Sequence, residues 1–432
     1  MWRARLNFPG LTVLCVFARP GALRRARPVF VGGGPRGYLP PVKPNAPIAG
    51  ARVAILGGGQ LGTMLATAAQ PLRVVTHALD PDPAAPAAYN AQACAEGDFR
   101  DRRTVEAFAR HADVCTIEIE AVSTAGLRAL RDEHGVPTRP SPEVVELIQD
   151  KGTQKAFYAR AGLPTAPFAL HADADAVRAE VAAGRLRIPF VQKLRRGGYD
   201  GKGVQIVRTE GDLARLLPGE CLTEALADYR LELAVVAARR PSGEVTTFPV
   251  VEMDFDPEEN LVTQLISPAR VDERTAERAR AIAADLATRL GVEGLLAVEF
   301  FLLRDGALWI NEAAPRPHNS GHVTMDGFAT SQFEQHLRAV LDVPLGSTRQ
   351  YRPAVMINLL GSASGTGPAT YVGLADALAL PGVHVHLYGK ATTKPHRKMG
   401  HVNVVADTID EAIALARRVR DVLRVEPAPP PR

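Results

Sequence analysis

The sequence predicts a mixed α/β plus α+β architecture: an N-terminal doubly wound (Rossmann-like) domain, a larger central domain built on an antiparallel sheet, and a small C-terminal domain. Three observations carry this. A chain of 432 residues is longer than one hydrophobic core ordinarily organises. From Arg52 to Ile119, apolar runs of strand length alternate with helical stretches, the order that winds a parallel sheet. From Pro189 onward, strand-length runs follow one another with few helices between, as in an antiparallel sheet.

The elements follow in order. Residues 1–50 carry Pro and Gly clusters (VGGGPRG, LPPVKPNAP) that oppose packed helices and central strands, so this segment reads as a disordered or over-called extension outside the fold. Its one targeting-like feature, Leu11 to Ala18, is short and followed by arginines, and is set aside as a leader. Order begins with the strand Arg52–Leu56, the turn Gly57-Gly58-Gly59-Gln60-Leu61-Gly62 and an Ala-rich helix; strands Arg73–Leu79, ending at Asp80, and Asp113–Ile119 complete a domain over 51–145. Ser141-Pro142-Glu143 opens a helix with an N-cap and a first-turn proline, which continues through Lys151 to Ala161. The central domain, 146–348, holds strands at Pro189–Leu194, Val204–Val207, Cys221–Glu224, Leu231–Ala238, Thr246–Val251, Leu296–Leu303 and Leu308–Asn311, with helices Asp272–Leu290 and Thr330–Leu341 on one side of the sheet. The C-terminal domain, 349–426, holds strands Val355–Leu360, Val383–Tyr388 and Val402–Ala406 and the helix Thr408–Leu423.

Bulk properties narrow the function. The net charge of +4 sets 51 Lys and Arg against 47 Asp and Glu, and the excess lies in the first 43 residues, which contain no acid. The remainder is slightly acidic, which argues against a nucleic-acid partner. The cysteines Cys15, Cys94, Cys115 and Cys221 form no CxxC pair, so neither a zinc site nor a disulfide framework is expected, and a reducing, cytoplasmic setting is the simplest reading. No apolar stretch approaches the ~20 residues that span a bilayer, so no membrane partner is expected.

The chemistry-bearing motifs lie on strand ends and turns. GGGQLG after a strand, with Asp80 about twenty residues on, fits the dinucleotide fingerprint, but equally a turn holding a phosphate-bearing substrate or a purely structural one. Lys193 ends a strand, and Arg195-Arg196-Gly197-Gly198-Tyr199-Asp200-Gly201-Lys202-Gly203 interleaves glycines with cations, as a loop closing over a triphosphate requires; a two-residue hairpin turn needs no such density. Glu299 lies inside an apolar strand, and Asn311-Glu312 ends a neighbouring one. Carboxylates entering one site from adjacent strands make an oxygen set for Mg²⁺, with Mn²⁺ as a substitute, whereas a core rarely buries such charges unpaired. Arg316, His318, Asn319 and Ser320 follow within a few residues and set donors beside the γ-phosphate of a triphosphate held there.

On these residues the chain resembles the ATP-grasp superfamily. Within it, GGGQLG, TIEIE, DKGTQKAFYARAGLPTAP, GYDGKG, NEAAPRPHNSGHVTMDGFATSQFEQHLRA, VMINLLG, HLYGK and RKMGHVN, in order over residues 51–410, resemble the N5-carboxyaminoimidazole ribonucleotide synthases of purine biosynthesis. That resemblance implies ATP- and bicarbonate-dependent carboxylation of 5-aminoimidazole ribonucleotide, with a homodimer as the assembly. It makes Lys151 and Lys193 phosphate contacts, Gly198–Gly203 their lid, Glu224, Ala225, Leu226 and Ala227 the adenine-side strand and hinge, and Glu232 the ribose contact. Asn311 and Glu312 join them, with Glu299 and Glu312 on the metal. Arg316, His318, Asn319 and Lys390 are implied in catalysis; Gln60, Leu61, Glu118, Glu120, Tyr388, Arg397 and Lys398 border the ribonucleotide, with Lys394 in the same basic cluster. Lys151 stands where some members have arginine, keeping the charge. Val251–Phe255 departs from the family pattern, so no nucleotide contact is assigned to Glu252. Other ATP-grasp carboxylases and formate-dependent purine transformylases are the alternative. A nicotinamide-dependent oxidoreductase leaves GYDGKG and the two glutamates unexplained, and a non-catalytic nucleotide sensor has no reason to keep both metal carboxylates.

Overall fold

The computed structural model describes residues 3–8, 11–16, 48–198, 203–255 and 262–428. Near the N-terminus, Arg3–Phe8 and Leu11–Val16 pair antiparallel, a hairpin within a stretch that the sequence reading leaves outside the fold. The apolar, partly β-branched run LTVLCV has the composition for a strand, and Pro and Gly concentrate after it. This segment belongs to a unit of its own, separate from residues 41–432.

The larger unit opens with the expected parallel sheet. Its strands run in spatial order Ala93–Glu96, Val75–Asp80, Arg52–Leu56, Val114–Ile117. The order reverses between Arg52–Leu56 and Val114–Ile117, so the glycine turn after the first strand sits at the topological switch point. Helix Gln60–Ala69 follows it.

The expected single helix after Ser141 is two, Pro142–Gln149 and Lys151–Arg160. The break is Asp150, held extended at φ −119°, whose carboxylate accepts from the backbone N–H groups of Gly152 and Thr153 and so caps the second helix. The same carboxylate takes a two-pronged ion pair from Arg195 at 2.9 and 2.6 Å, which fixes the start of the cationic glycine loop.

Three antiparallel sheets carry the rest: a small one in order Thr392–Thr393, Gly367–Val372, Arg424–Pro427, and two larger ones. A four-stranded sheet, in order Phe168–His171, Cys221–Ala225, Phe190–Leu194, Val204–Val207, has its own small core around Phe190, Val207 and Cys221. A nine-stranded sheet runs Leu308–Ala314, Gly294–Leu303, Tyr229–Arg239, Val251–Phe255, Val262–Ser267, Ala354–Leu360, Lys398–Val405, Val383–Leu387, with Val245–Thr247 beside Tyr229–Arg239. The expected strand Thr246–Val251 is interrupted because Pro249 has no N–H to give a ladder. Ser267 pairs with Ala354 across the expected boundary between central and C-terminal domains, so the sheet is continuous through it.

Helices on one side of this sheet were expected, yet both faces are covered. Helix Glu273–Leu290, capped by Asp272 and ended by Gly291 at φ +65°, buries Leu233, Val235, Leu296 and Val298 on one face. Val323 and Phe328, flanking the short helix Thr324–Gly327, close the other over Ala234, Val236 and Ala297. Helix Gln332–Val340 packs Phe333, Leu337 and Val340 against Leu61, Met64 and Leu65 of the first helix. Among the described residues no helix is long and apolar enough to cross a membrane.

Candidate active site

The second face of the large sheet turns from apolar to acidic at one end. Glu299 stands opposite Glu312 on one neighbouring strand and opposite Ala234 on the other, and Glu232 lies two residues before Ala234. Alternation along strands therefore brings Glu232, Glu299 and Glu312 to one face. Their mutual repulsion registers in protonation. Burial, with Glu312 and Glu232 alongside, pushes the Glu299 carboxyl up. Burial likewise raises Glu232, to about 7. Glu312 is held low because the Lys151 ammonium pairs with it. Glu299 and Glu312, directly opposite on adjacent strands, repel one another as the raised Glu299 carboxyl records, and such a pair of oxygen donors fits a divalent ion.

Cations converge from three directions. Lys151, at the start of its helix, stays above its ordinary value because Glu312, Glu299 and Glu120 outweigh its burial. Lys193 bonds Asn311 Oδ1 and Glu224 Oε2, each at 2.8 Å. Lys398, at the head of a C-terminal strand, acts on Glu299. Three strands and the start of a helix thus bring Lys151, Lys193, Asn311, Glu299 and Glu312 into one cluster. Glu224 is buried and spends both oxygens on lysines, Lys193 and Lys155, so its side chain does not face outward as an adenine contact. Ala225 ends that strand in the open and Leu226 and Ala227 follow it. Tyr229, stacked on Phe301 with ring centroids 4.8 Å apart, lies beyond them. Gly198 and Gly203 are described, the latter at φ +81°, while the expected Tyr199, Asp200, Gly201 and Lys202 lie outside the described residues. Glu252 is buried, and its carboxylate accepts from the guanidinium and the N–H of Arg270.

The acceptor loop is clamped from beneath. Gln332, fully buried, accepts from His318 N–H at 2.9 Å and donates to His318 O at 2.8 Å, and its amide also meets His322 Nδ1. His318 Nδ1 accepts from Ser320 N–H, which leaves the proton on Nε2, 3.6 Å from Glu299 Oε1. Arg316 is held by Glu120 through Nε at 2.9 Å. The Asn319 amide nitrogen is buried without a hydrogen-bond partner among the described residues, a donor left for a ligand.

The N-terminal turn resolves against a phosphate. Glu118 accepts from Gly59 N–H and Gly62 N–H at 2.5 Å each, and Asp80 Oδ2 accepts from Gly58 N–H at 2.8 Å. The anion on these N–H groups is the chain's own, so the turn is structural and Glu118 serves it instead of facing a ribonucleotide. Gln60 opens the helix, but the Leu61 side chain is core. Tyr388 is core as well, packed in the same cluster with its hydroxyl on His401 Nδ1 at 3.0 Å. Lys390 bonds the Lys398 carbonyl at 2.7 Å, whereas Arg397 turns back to Thr392 O and Lys394 lies exposed, so the basic cluster is only partly gathered.

Sequence reading missed Lys155, Gln332 and Asp150. Lys155 had a signal: it falls three residues from Gly152 and from Tyr158, on the buried face of its helix.

A parallel domain, an antiparallel sheet bearing paired carboxylates, and lysines on a strand and on a helix start together define an ATP-grasp ligase. Family models agree in order along the chain: ribonucleotide synthetase preATP-grasp domain over residues 51–149, ATP-grasp domain over 156–333, and phosphoribosylaminoimidazole carboxylase C-terminal domain over 354–415. The chain belongs to the N5-carboxyaminoimidazole ribonucleotide synthase family. It is 36% identical over 368 residues to that enzyme from Bacillus subtilis, covering 84% of this chain and 94% of the relative. It is 40% identical over 359 residues to that from Synechococcus elongatus, covering 82% and 89%. The crystal structure of the synthetase from Thermotoga maritima superposes with a TM-score of 0.80 at 38% identity, covering 88% of this chain and 100% of that one. The Aspergillus clavatus enzyme in complex with ADP and 5-aminoimidazole ribonucleotide does so at 0.78 and 31%, covering 87% and 98%.

Proposed function

We propose that this chain is an ATP-dependent carbon–nitrogen ligase that carboxylates 5-aminoimidazole ribonucleotide to N5-carboxyaminoimidazole ribonucleotide, releasing ADP and phosphate. The observation that carries it is the acidic sheet face of Glu232, Glu299 and Glu312, with lysines on the ATP side and Arg316, His318 and Asn319 on the acceptor side. A bicarbonate oxygen attacks the γ-phosphorus, the bond to ADP breaks, and carboxyphosphate forms. The ribonucleotide amine then attacks the carboxyl carbon, phosphate leaves, and the amine gives up a proton.

Mg²⁺, with Mn²⁺ able to replace it, is held by Glu299 and Glu312 in this reading and supplies charge neutralisation at the phosphates. Lys151 and Lys193 orient the inner phosphates, and Glu232 meets the ribose. Arg316, fixed by Glu120, and the Asn319 amide hold the anionic carboxyl group against water. The His318 Nε2 proton faces the same space. Lys390 and Lys398 sit toward the ribonucleotide. A homodimer acting in the cytoplasm belongs to the same proposal, and sedimentation of the purified chain tests the dimer.

The decisive assay is phosphate release from ATP. Release dependent on both bicarbonate and the aminoimidazole ribonucleotide is expected; turnover indifferent to the ribonucleotide, or supported by formate instead of bicarbonate, overturns the assignment. Chelation should stop turnover, with Mg²⁺ restoring it.

A further inference from the structure

A closed ring of polar contacts runs beneath the nucleotide side of the site. Lys155 Nζ lies 2.8 Å from Glu224 Oε1, 2.8 Å from Thr165 Oγ1 and 3.2 Å from the Ile310 carbonyl. Glu224 Oε2 lies 2.8 Å from Lys193 Nζ, which in turn bonds Asn311, the residue after Ile310. The ring joins the four-stranded sheet, through Lys193 and Glu224, to the strand that carries Glu312. Its inner members are out of water: the side chains of Lys155 and Glu224 are each 3% exposed, against 11% for Lys193.

Two lysines on one buried carboxylate make a physical point. A buried charge that loses its partner is destabilised heavily, far beyond the net worth of the pair. If Lys193 were the sole partner of Glu224, turning its ammonium toward a phosphate would strand that carboxylate, and the cost would be subtracted from ATP affinity. Lys155 removes the difficulty because its other contacts, Thr165 Oγ1 and the Ile310 carbonyl, hold it in place beside Glu224. Burial lowers the Lys155 ammonium to about 8 despite Glu224, while Glu224 stays below its ordinary value because the two lysines outweigh its burial, so both are charged at neutral pH.

We propose that Lys155 is a positioning residue, the permanent counter-ion of Glu224, which frees Lys193 to leave that carboxylate for the nucleotide phosphates. The proposal rests on the reading of Lys193 as a phosphate contact. Without Lys155, Glu224 retains Lys193, and ATP must compete with a buried carboxylate for it. Removing the Glu224 charge as well then releases Lys193 again.

The test is a double-mutant cycle on the full chain, read as the KM for ATP and as the dissociation constant of ADP by calorimetry. Lys155→Met is expected to raise both about tenfold or more, with a smaller change in kcat. In a Glu224→Gln background, the same substitution is expected to change them less than about twofold. A residue that merely supports the fold would weaken binding in both backgrounds, and that outcome overturns the proposal, as does an unchanged KM in Lys155→Met. Where Lys155→Met is too unstable to assay, the double variant against Glu224→Gln alone decides it: equal KM is expected, and a further rise overturns it. Lys193→Gln is the control. If it leaves ATP binding unchanged, the reading of Lys193 fails and takes the proposal with it; if it weakens binding while Lys155→Met does not, only the proposal falls.

Discussion

Glu312 meets Glu299 across a strand pair and Lys151 from a helix start, so one side chain links the metal-type carboxylates to the phosphate-side cations. Glu312→Ala removes a ligand of the proposed metal site and leaves Lys151 with Glu299 and Glu120. Turnover should fall on the order of 10³-fold, since charge placed where phosphates react is worth that much. Steady-state phosphate release with a Mg²⁺ titration checks it; near-normal rates mean the metal is held elsewhere. Arg316 depends on Glu120 from the N-terminal domain. Glu120→Ala lets the guanidinium swing, and a displacement of about an ångström costs up to about 10²-fold. The loss should appear in kcat/KM for bicarbonate at saturating ATP, and an unchanged value would mean that Glu120 does not position Arg316.

At the scale of elements, the glycine turn separates what sequence reveals from what it hides. Strand, turn and helix were legible because glycine density and apolar periodicity are local. The occupant was not, since Glu118 arrives from a strand end about sixty residues later and takes the N–H groups a phosphate would need. Gly62 shows how tightly the turn is closed: a Cβ there would lie 2.8 Å from the Gly57 carbonyl and 3.4 Å from Glu118 Oε2. Gly62→Ala should cost about 1–3 kcal/mol by overpacking, read as a lower urea midpoint at unchanged slope, and a wild-type midpoint would refute the close contact. The N-cap at Ser141 was likewise readable, and its side chain accepts from Val144 N–H. The Asp150 break was not. Asp150 caps the second helix through the Gly152 and Thr153 N–H groups, but the ion pair to Arg195 that fixes its carboxylate there is tertiary. The same holds for the sheet joining Ser267 to Ala354, because pairing across a boundary leaves no mark in either strand alone.

At the scale of the molecule, the N-terminal sheet is tied to the large sheet by a histidine. His336 is fully buried; its Nδ1 accepts from Leu295 N–H, so the proton sits on Nε2 and goes to Thr116 Oγ1 at 2.7 Å. The bond from Leu295 N–H needs the neutral ring, since a proton on Nδ1 would remove the acceptor, and burial lowers its pKa from 6.5 to about 3. The unfolded chain therefore binds this proton more readily than the folded one. The contribution is whole above about pH 6.5 and is lost progressively as pH falls toward 3, at about 1.4 kcal/mol per unit once well below 6.5. His322 and His401, stacked 4.7 Å apart between the acceptor loop and a C-terminal strand, are also pulled well below the ordinary value by burial first, and titrate in the same sense. The joints between the three domains should thus weaken together in acid. His336→Leu isolates one of them. It loses two hydrogen bonds at pH 7.5 but is spared the proton, so its deficit against wild type should shrink by about 2 kcal/mol between pH 7.5 and pH 5 in urea unfolding. A deficit that stays constant over that range would mean that the His336 ring titrates in the folded protein as it does in the unfolded chain, or that the domains part before it titrates.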